Sequence, residues 1–271
     1  NTAQPEPRDY SRWIKNYDTL TPQILSQIQK RIEQWDDSPL ISIVMPTYNT
    51  EEKWLRAAIE SVQQQIYPNW ELCIADDAST QPQVRRVLEE YAKRDHRIKL
   101  AFRTANGHIS AASNTALEMV NGELVTFLDH DDRLAKHALF WVIQATIEAP
   151  DAMLWYSDED KINANGERCD PYFKPDWNHD LFLSHNFITH LIVYRTTLVQ
   201  QLGGFRTGYE GAQDYDLALR VIEQITPAQI YHIPRVLYHW RVASGSTALH
   251  STEKPYAIIA AQQAISEHLT R

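Results

Sequence analysis

From Leu40 onwards, short apolar runs alternate with apolar residues at helical spacing. Leu40–Met45 is apolar except for Ser42 and ends at Pro46, which is typical of a buried strand. Apolar positions from Leu55 to Ile66 then recur every three or four residues and predict a helix. The same alternation continues through a strand at Leu72–Ala75, a helix at Val84–Tyr91, a strand at Ile98–Phe102, a helix at Ser110–Met119, a strand at Leu124–Leu128, a helix at Leu139–Ile147 and a strand at Met153–Tyr156. This order predicts an α/β domain in which helices cover both faces of a mostly parallel, Rossmann-like sheet.

Two segments depart from this alternation. Residues 1–38 are polar, but Ile24, Ile28 and Ile32 recur every four residues and predict one amphipathic helix. We interpret this segment as an N-terminal helical extension packed on the main domain; the alternative is a linker to a neighbouring domain. Residues 157–190 are rich in Asp, Asn, His, Pro and aromatic residues, and predict a long irregular segment with a functional role. Regular structure resumes with a strand at Leu191–Tyr194, helices at Thr196–Leu202 and Asp214–Ile225, short strands at Ile230–Ile233 and Val236–Trp240, and a closing helix at Lys254–Leu269.

Composition narrows the classes of function. The 271 residues carry a formal net charge of -9, which argues against nucleic acid as a partner, because proteins that bind nucleic acids usually carry a basic face. The two cysteines, Cys73 and Cys169, form neither a disulfide framework nor a zinc site, so we expect a reducing, cytoplasmic location. No apolar run is long enough to span a bilayer, so any membrane association would be peripheral, at the inner face of the cytoplasmic membrane. The chain begins with Asn1 rather than Met, so other domains of a longer chain are among its expected partners.

Two polar clusters follow the first two predicted strands. In the first, at residues 46–49, Tyr48 is placed to stack on a nucleobase while Thr47 and Asn49 bond its edge. In the second, at residues 76–80, two acids are placed to bind ribose hydroxyls or a base N–H, since ligands of parallel sheets bind at the carboxyl ends of strands. The alternative for both clusters is structural: Asn, Asp and Thr routinely cap the helix that follows.

The third cluster, Asp129-His130-Asp131-Asp132, ends the fourth predicted strand. Three carboxylates in four residues repel one another and favour a bound cation. Oxygen ligands of this kind suit Mg²⁺ or Mn²⁺, which also bind diphosphate oxygens. In an extended stretch Asp129 and Asp131 point the same way, so one can meet a ribose while the other meets the metal. The alternative is a solvated acidic loop.

Two further clusters lie near the C-terminus. Asp214 opens a predicted helix, where a carboxylate can act as a general base or simply cap the helix. In residues 238–241, His239 is a candidate metal ligand and Arg241 a candidate phosphate contact. A lone histidine is more often structural, so this interpretation depends on the neighbouring clusters.

Together these motifs resemble family 2 glycosyltransferases of the GT-A fold over residues 40–245. Five separate motifs carry the resemblance: PTYN at 46–49, DDAST at 76–80, DHDD at 129–132, GAQDYD at 211–216 and YHWR at 238–241. The stretch from residues 156–160 through residues 173–177 is similar to a bacterial subgroup described as rhamnosyltransferase-like or O-antigen-assembling. The resemblance places the domain at residues 39–271, with a nucleotide-binding half at 39–132 and an acceptor-binding half at 133–271.

The resemblance also implies a role for each matching residue. Pro46, Thr47, Tyr48 and Asn49 would line the nucleotide pocket, with Asp77 on the base or ribose. Asp129 would lie near the ribose and the donor sugar. Asp131 and His239 would hold Mn²⁺ or Mg²⁺, Arg241 would contact phosphate and Asp214 would deprotonate the acceptor hydroxyl. Four further residues are expected near the acceptor or donor sugar: Asp158, Glu159, Trp177 and Gln213.

The implied activity is inverting transfer of a sugar from a nucleotide-diphosphate sugar to an oligosaccharide or a lipid-linked glycan, in bacterial surface polysaccharide synthesis. Three departures from the family pattern are visible. Gln213 stands where many relatives have Glu, and Ser113 where many have Arg. The third is Asp132, for which support of the metal and capping of a helix are both open. Two other functions remain open. One is a non-catalytic domain of the same fold that binds carbohydrate or other domains. The other is a nucleotidyltransferase, which the absence of a glycine-rich loop after the first strand disfavours.

Overall fold

The computed structural model of the protein describes residues 10–36, 38–242 and 255–271. Nine strands lie within these residues: β1 Ile41–Thr47, β2 Trp70–Asp76, β3 Ile98–Phe102, β4 Leu124–Phe127, β5 Arg133–Leu134, β6 Leu154–Ile162, β7 Arg168–Tyr172, β8 Ile192–Arg195 and β9 Ile230–Arg241. The same ranges contain ten α-helices: α1 Tyr10–Tyr17, α2 Pro22–Glu33, α3 Glu52–Gln63, α4 Pro82–Arg94, α5 His108–Leu117, α6 Ala138–Glu148, α7 His179–Ser184, α8 Thr196–Gln201, α9 Gln213–Ile222 and α10 Pro255–Thr270.

All nine strands form one sheet, in the order β3-β2-β1-β4-β8-β6-β9-β5, with β7 paired to β6. Strands β1, β2, β3, β4, β6 and β9 run in one direction, and β5, β7 and β8 run against them. The predicted mostly parallel sheet is therefore confirmed. The chain moves outwards from β1 to β2 and β3, then returns to place β4 on the other side of β1. This reversal opens a crevice at the carboxyl ends of β1 and β4, where α/β proteins bind ligands.

The core lies on both faces of the sheet. Every residue of β1 and β2 is buried, which explains why the sequence of these strands is nearly continuously apolar. Because side chains alternate along a strand, Ile43 and Met45 pack into one apolar cluster and Val44 into the other. The two helical layers cover these clusters and fix the strand ends that carry the polar motifs.

The segment predicted to be irregular at residues 157–190 is more regular than its sequence indicates. Strand β6 continues to Ile162, then turns into β7, and helix α7 follows. The prediction ended the strand at Tyr156 because the next residues are charged. In the structure Asp158, Glu159 and Asp160 are all buried with polar partners, so they extend the strand instead of ending it.

The two short strands predicted at residues 230–240 are one strand, β9, paired in parallel with β6. The pairing skips residues between Ile233, which lies opposite Ser157, and Val236, which lies opposite Asp158. Pro234 falls in this bulge and, because it has no N–H, cannot donate to the ladder. Because of this local interruption, the sequence pattern predicted two short strands where the structure has one.

The predicted N-terminal amphipathic helix is α2, and a second helix, α1, precedes it. Thr21 caps α2 by accepting a hydrogen bond from the backbone N–H of Ile24. The predicted closing helix is present from Pro255, while Lys254 lies outside the described residues. The boundary at residue 38 stays a prediction. Within the described ranges, no helix combines the length and the apolar composition that a membrane span requires.

Candidate functional site

A cavity of about 500 Å³ lies at the carboxyl ends of β1 and β4. Its wall includes Pro46 from the end of β1, Asp129 from the turn after β4 and Asp214 from the start of α9. The sequence places these three residues up to 168 positions apart, but the reversal of strand order beside β1 brings them to one crevice. The wall also includes Gln213, His190 and Trp240, among other polar residues.

Asp214 is in the first turn of α9, where the partial positive charge of the helix N-terminus favours a carboxylate. Its Oδ2 accepts a hydrogen bond from Nδ2 of Asn186 at 2.9 Å. Burial raises the pKa of Asp214, the charge of His190 opposes this shift, and the charge of Asp129 adds to it. A carboxylate with a raised pKa at the wall of a cavity is suited to accept a proton from a bound hydroxyl.

The three acids after β4 have different surroundings. Burial raises the pKa of Asp131, and the negative charge of Asp129 raises it further. Asp132 is 1% exposed and is fixed by the protein itself: its Oδ2 accepts from the Tyr238 hydroxyl at 2.7 Å and its Oδ1 from the Arg241 backbone N–H at 2.7 Å. Asp132 therefore anchors the turn to β9, whereas Asp129 lies in the cavity wall.

His190 is a residue of the cavity wall that the sequence analysis missed. Its Nδ1 lies 3.1 Å from Oε2 of Glu159, and its ring stacks on Tyr238 with centroids 4.5 Å apart. Burial alone would lower the pKa of His190, but the hydrogen bond and the charge of Glu159 raise it to about 9. His190 therefore adds a positive charge to a cavity wall that also contains the carboxylates of Asp129 and Asp214. The only local signal was its position just before the apolar strand β8.

The buried acids of β6 are already bound by neighbouring groups. Asp158 accepts from the backbone N–H of Lys174 at 2.9 Å and lies 2.9 Å from Nε2 of His232. Burial alone would raise the pKa of Glu159, but the charge of Lys174 and the hydrogen bond from His190 lower it to about 2. The structure thus places the two predicted sugar contacts, Asp158 and Glu159, inside the protein rather than in the cavity wall.

Two other residues predicted near the sugars occupy different environments. Trp177 is half-buried against the apolar cluster on one face of the sheet, with ring centroids 5.0 Å from Phe182 and 6.0 Å from Phe187. The structure does not bring it to the cavity. Gln213 does reach the cavity wall, and its Oε1 accepts from the backbone N–H of Gly211 at 2.7 Å.

The motif at residues 46–49 forms a turn that is fixed to the loop after β2. The Oδ1 of Asn49 accepts from the backbone N–H groups of Thr80 at 2.9 Å and Gln81 at 3.1 Å, so this amide ties the two loops together. The buried Thr47 hydroxyl is 2.8 Å from that of Thr50. Tyr48 is 44% exposed and is the residue of this motif whose ring remains accessible to a ligand.

Asp77, in the second motif, is 2% exposed. Its Oδ1 accepts from Nε of Arg103 at 2.8 Å, and both oxygens lie near the backbone N–H of Gly107. These bonds fix the carboxylate against Arg103 and the start of α5. Ser113, at the position where many relatives have Arg, lines the cavity on α5, and Arg103 is a cation that the sequence analysis did not single out.

The predicted phosphate contact and metal ligands lie beside the turn after β4. Arg241 donates from Nε to the carbonyl of Asp131 at 2.6 Å, and its guanidinium lies 3.7 Å from the ring centroid of Trp54. It therefore fixes the turn and is only 2% exposed. His239 lies with its Nδ1 2.5 Å from Oδ1 of Asp160. No group of three or more His, Cys, Asp or Glu residues placed to hold a metal ion occurs within the described residues.

The residues present nevertheless fit a metal that is held by few protein ligands. Mg²⁺ and similar ions commonly use one or two protein ligands and complete their shell with substrate phosphates and water. The bond from Arg241 goes to the backbone carbonyl of Asp131 and not to its carboxylate, so this contact does not occupy the oxygens that a metal would use. The contact between Asp160 and Nδ1 of His239 leaves Nε2 as the ligating nitrogen, an arrangement typical of metal-binding histidines.

The profile described as Glycosyl transferase family 2 matches residues 42–203. The uncharacterized protein y4gI of Sinorhizobium fredii is 49% identical over 96% of this chain and 28% of its own length. The O-antigen biosynthesis protein RfbC of Myxococcus xanthus is 37% identical over 100% of this chain and 21% of its own length. The chain thus spans less than a third of the length of these two relatives.

Solved structures share the fold. Staphylococcus aureus TarS 1-349 in complex with UDP-GlcNAc aligns with a TM-score of 0.69 and 21% identity, over 85% of this chain and 66% of TarS 1-349. The mannosyltransferase PcManGT of Pyrobaculum calidifontis, in complex with GDP-Man and Mn²⁺, aligns with a TM-score of 0.58 and 18% identity, over 92% of this chain and 81% of its own. These likenesses confirm the GT-A fold.

Proposed function

The chain belongs to glycosyltransferase family 2, and on this premise we propose that it transfers a sugar, with inversion, from a nucleotide-diphosphate sugar to a glycan acceptor. One observation carries the proposal: Asp214 and Asp129 line a single cavity at the crevice between β1 and β4. A general base and a donor-side carboxylate in one cavity are what a direct displacement requires.

The nucleotide end of the donor lies along the loops after β1 and β2. Tyr48 supplies an accessible aromatic ring for the base, while Asn49 and Asp77 hold the two loops in place. The relatives of known structure support this assignment, because the complexes of TarS and PcManGT contain UDP-GlcNAc and GDP-Man. Asp129 then faces the ribose and the donor sugar.

Asp131 and His239 are the residues that would hold a divalent cation, Mn²⁺ or Mg²⁺. When bound, such an ion offsets the negative charge that develops on the departing nucleoside diphosphate. His190 lines the same cavity and carries a second positive charge, since its pKa is about 9. It supports departure of the diphosphate from a position beside the DHDD turn, since its ring stacks on Tyr238, whose hydroxyl bonds Asp132.

Asp214 removes the proton from the acceptor hydroxyl as the oxygen of that hydroxyl bonds to the anomeric carbon. The bond between this carbon and the diphosphate oxygen breaks on the opposite face, and the electron pair leaves with the nucleoside diphosphate. Attack from the opposite face inverts the anomeric carbon. The raised pKa of Asp214 makes it a better proton acceptor than an ordinary carboxylate.

The acceptor is an oligosaccharide or a lipid-linked glycan of a bacterial surface polysaccharide. Support comes from the names of two relatives, the O-antigen biosynthesis protein RfbC and the putative colanic acid biosynthesis glycosyl transferase WcaA of Escherichia coli, which is 29% identical over 82% of this chain. A lipid-linked acceptor places the reaction at the inner face of the cytoplasmic membrane, where the domain associates peripherally.

The experiment is a calorimetric screen of UDP, GDP, dTDP and CDP against the parent protein and the Asp214→Asn variant, with Mn²⁺ and then with EDTA. We expect one nucleotide to bind both proteins in the presence of Mn²⁺. Hydrolysis or transfer of the corresponding nucleotide sugar should fall by about 10²- to 10⁴-fold in the variant, because only the base is lost.

Two outcomes contradict the proposal in different ways. Normal transfer by Asp214→Asn would show that another group is the base. A folded parent protein that binds no nucleotide would instead support the second candidate, a non-catalytic domain that binds carbohydrate or other domains. The cavity favours catalysis over that candidate, because its wall contains Asp129, His190 and Asp214, which bear the charges that the reaction uses.

A further inference from the structure

A buried hydrogen-bond network connects the N-terminal helix α1 to His239. Its centre is Asp160 of β6, whose side chain is fully buried. One oxygen of this carboxylate, Oδ1, lies 2.5 Å from Nδ1 of His239. The other, Oδ2, accepts from the Tyr10 hydroxyl at 2.7 Å and from Nε of Arg168 at 2.5 Å.

The backbone places the two halves of this network side by side. Asp160 and His239 are direct partners in the parallel pairing of β6 with β9, so their side chains lie on the same face of the sheet. Arg168 comes from β7, which pairs with the other edge of β6. Asp160 is therefore held between α1 and β7 on one side and the candidate metal ligand on the other.

Helix α1 is docked by charge as well as by apolar contact. Asp18, whose side chain is 4% exposed, lies 2.6 Å from Arg168 and 3.3 Å from Nε2 of His137. Tyr10 stacks on Trp13 with centroids 5.5 Å apart, and Trp13 packs on Phe173 at 4.9 Å. These contacts fix the position of the Tyr10 hydroxyl relative to Asp160.

We propose that α1 is a positioning element of the transferase site: Tyr10 and Arg168 orient Asp160, and Asp160 orients His239 for the metal. This inference rests on the proposed function. A carboxylate that bonds Nδ1 fixes the rotation of the imidazole ring and makes Nε2 a stronger ligand. Without the Tyr10 hydroxyl, Asp160 keeps Arg168 but loses one of the two groups that fix its rotation.

A purely structural role for α1 predicts a different result. In that case the aromatic contacts would stabilise the domain, and the hydroxyl of Tyr10 would have no influence on metal binding. Tyr10→Phe separates the two roles, since it removes the hydroxyl and keeps the ring that stacks on Trp13. Tyr17→Phe is the matched control: it removes a hydroxyl from the same helix at a side chain that is 68% exposed.

The test measures Mn²⁺ affinity by calorimetry in the parent, Tyr10→Phe and Tyr17→Phe proteins, each saturated with the nucleoside diphosphate identified in the screen of UDP, GDP, dTDP and CDP. We expect a loss of Mn²⁺ affinity of up to about 10-fold in Tyr10→Phe and none in Tyr17→Phe. Loss of a group that bonds the ligand directly, as Asp160 does, typically costs about 10- to 100-fold, and Tyr10 acts one bond further from the metal. Excess Mn²⁺ should restore the kcat of Tyr10→Phe to the value of the parent.

Equal Mn²⁺ affinity in all three proteins would overturn the inference. So would a loss in Tyr10→Phe that Tyr17→Phe matches, since the effect would then belong to helix α1 in general. A parent protein that binds a nucleotide equally well with Mn²⁺ and with EDTA would overturn the metal assignment itself and, with it, this inference.

Discussion

The carboxylates of β6 and those around the cavity differ in what compensates their charge. Asp158, Glu159 and Asp160 are each bound by groups of the protein, and for Glu159 the result is a pKa of about 2. Asp131 and Asp214 have raised pKa values, because burial and neighbouring acids outweigh the positive charges nearby. Groups of the protein hold the first set, whereas we expect the second to meet a cation, a proton or a substrate. A raised pKa is not sufficient by itself, since burial raises the pKa of Asp132 although Tyr238 and Arg241 bond its carboxylate. A cluster of acids therefore indicates a ligand site only where the protein does not neutralise it.

The largest expected effect is on stability, from Glu159→Gln. The substitution leaves the fully buried Lys174 side chain without its charge partner, and losing one member of a buried pair costs about 3–5 kcal/mol. The free energy of unfolding, measured in urea at pH 7, should fall by that amount. Lys174→Met in the same background is the control, since it removes the unpaired charge and should recover part of the loss.

The same variant should change how stability depends on pH. Glu159 has a lowered pKa, so its contribution is present above the ordinary glutamate pKa of about 4.3 and is lost as the pH falls towards about 2. His190 has a raised pKa, so its contribution is present below about 6.5 and is lost as the pH rises through about 9. Glu159→Gln should flatten both changes in stability. If the profile of stability against pH is the same in the variant, the pair of Glu159 and His190 is not the cause of these changes.

The next largest effect tests Asp131, one of the acids with a raised pKa. Asp131→Asn should weaken nucleoside diphosphate binding in the presence of Mn²⁺ by about 100-fold, or about 3 kcal/mol, because the ion contributes several kcal/mol of charge stabilisation. Asp132→Asn is the matched control one residue later, and its carboxylate bonds Tyr238 and Arg241. It should lower the melting temperature more than Asp131→Asn does but preserve metal dependence. Equal loss of metal dependence in both variants would remove the distinction between the two aspartates.

A smaller effect compares two aromatic residues. Trp177→Ala should lower the free energy of unfolding by about 2 kcal/mol, since the ring is half-buried against Phe182 and Phe187. Tyr48→Ala should barely change stability but weaken nucleotide binding by about 1–3 kcal/mol, the usual contribution of a base stacked on an aromatic ring. Urea unfolding and calorimetry on both variants measure the two effects. If Trp177→Ala loses activity but not stability, this result would support the prediction that Trp177 contacts a sugar.

The smallest effect concerns His190. Its charge lowers the pKa of Asp214, so in His190→Gln the pKa of Asp214 should rise. The acidic limb of the profile of kcat against pH should move to higher pH with it, since Asp214 must be deprotonated to act as the base. Asn186→Asp at the partner of Asp214 offers a comparison, because an added negative charge should move the limb in the same direction. If the acidic limb does not move in either variant, it reports the titration of a group other than Asp214.

The order of the elements and the motifs at the strand ends could be predicted from the sequence alone. Apolar periodicity is a local property, and burial on both sheet faces makes β1 and β2 recognisable from a few adjacent residues. The positions of Asp129 and Asp214 at the carboxyl end of a strand and the start of a helix followed from the same patterns, and family motifs supplied their expected roles. None of this required knowledge of which strands are neighbours.

Which polar residues are committed to the fold depends on tertiary contacts. Hydrogen bonds and ion pairs form between residues distant in sequence, such as Glu159 with His190, Asp160 with Tyr10 and Asp132 with the backbone of Arg241. A buried acid bound by such partners and an acid left open for a ligand look alike in the sequence, because the difference lies in the neighbours that the fold supplies. For this reason the sequence did not indicate His190, nor that Asp158, Glu159 and Trp177 lie outside the cavity wall.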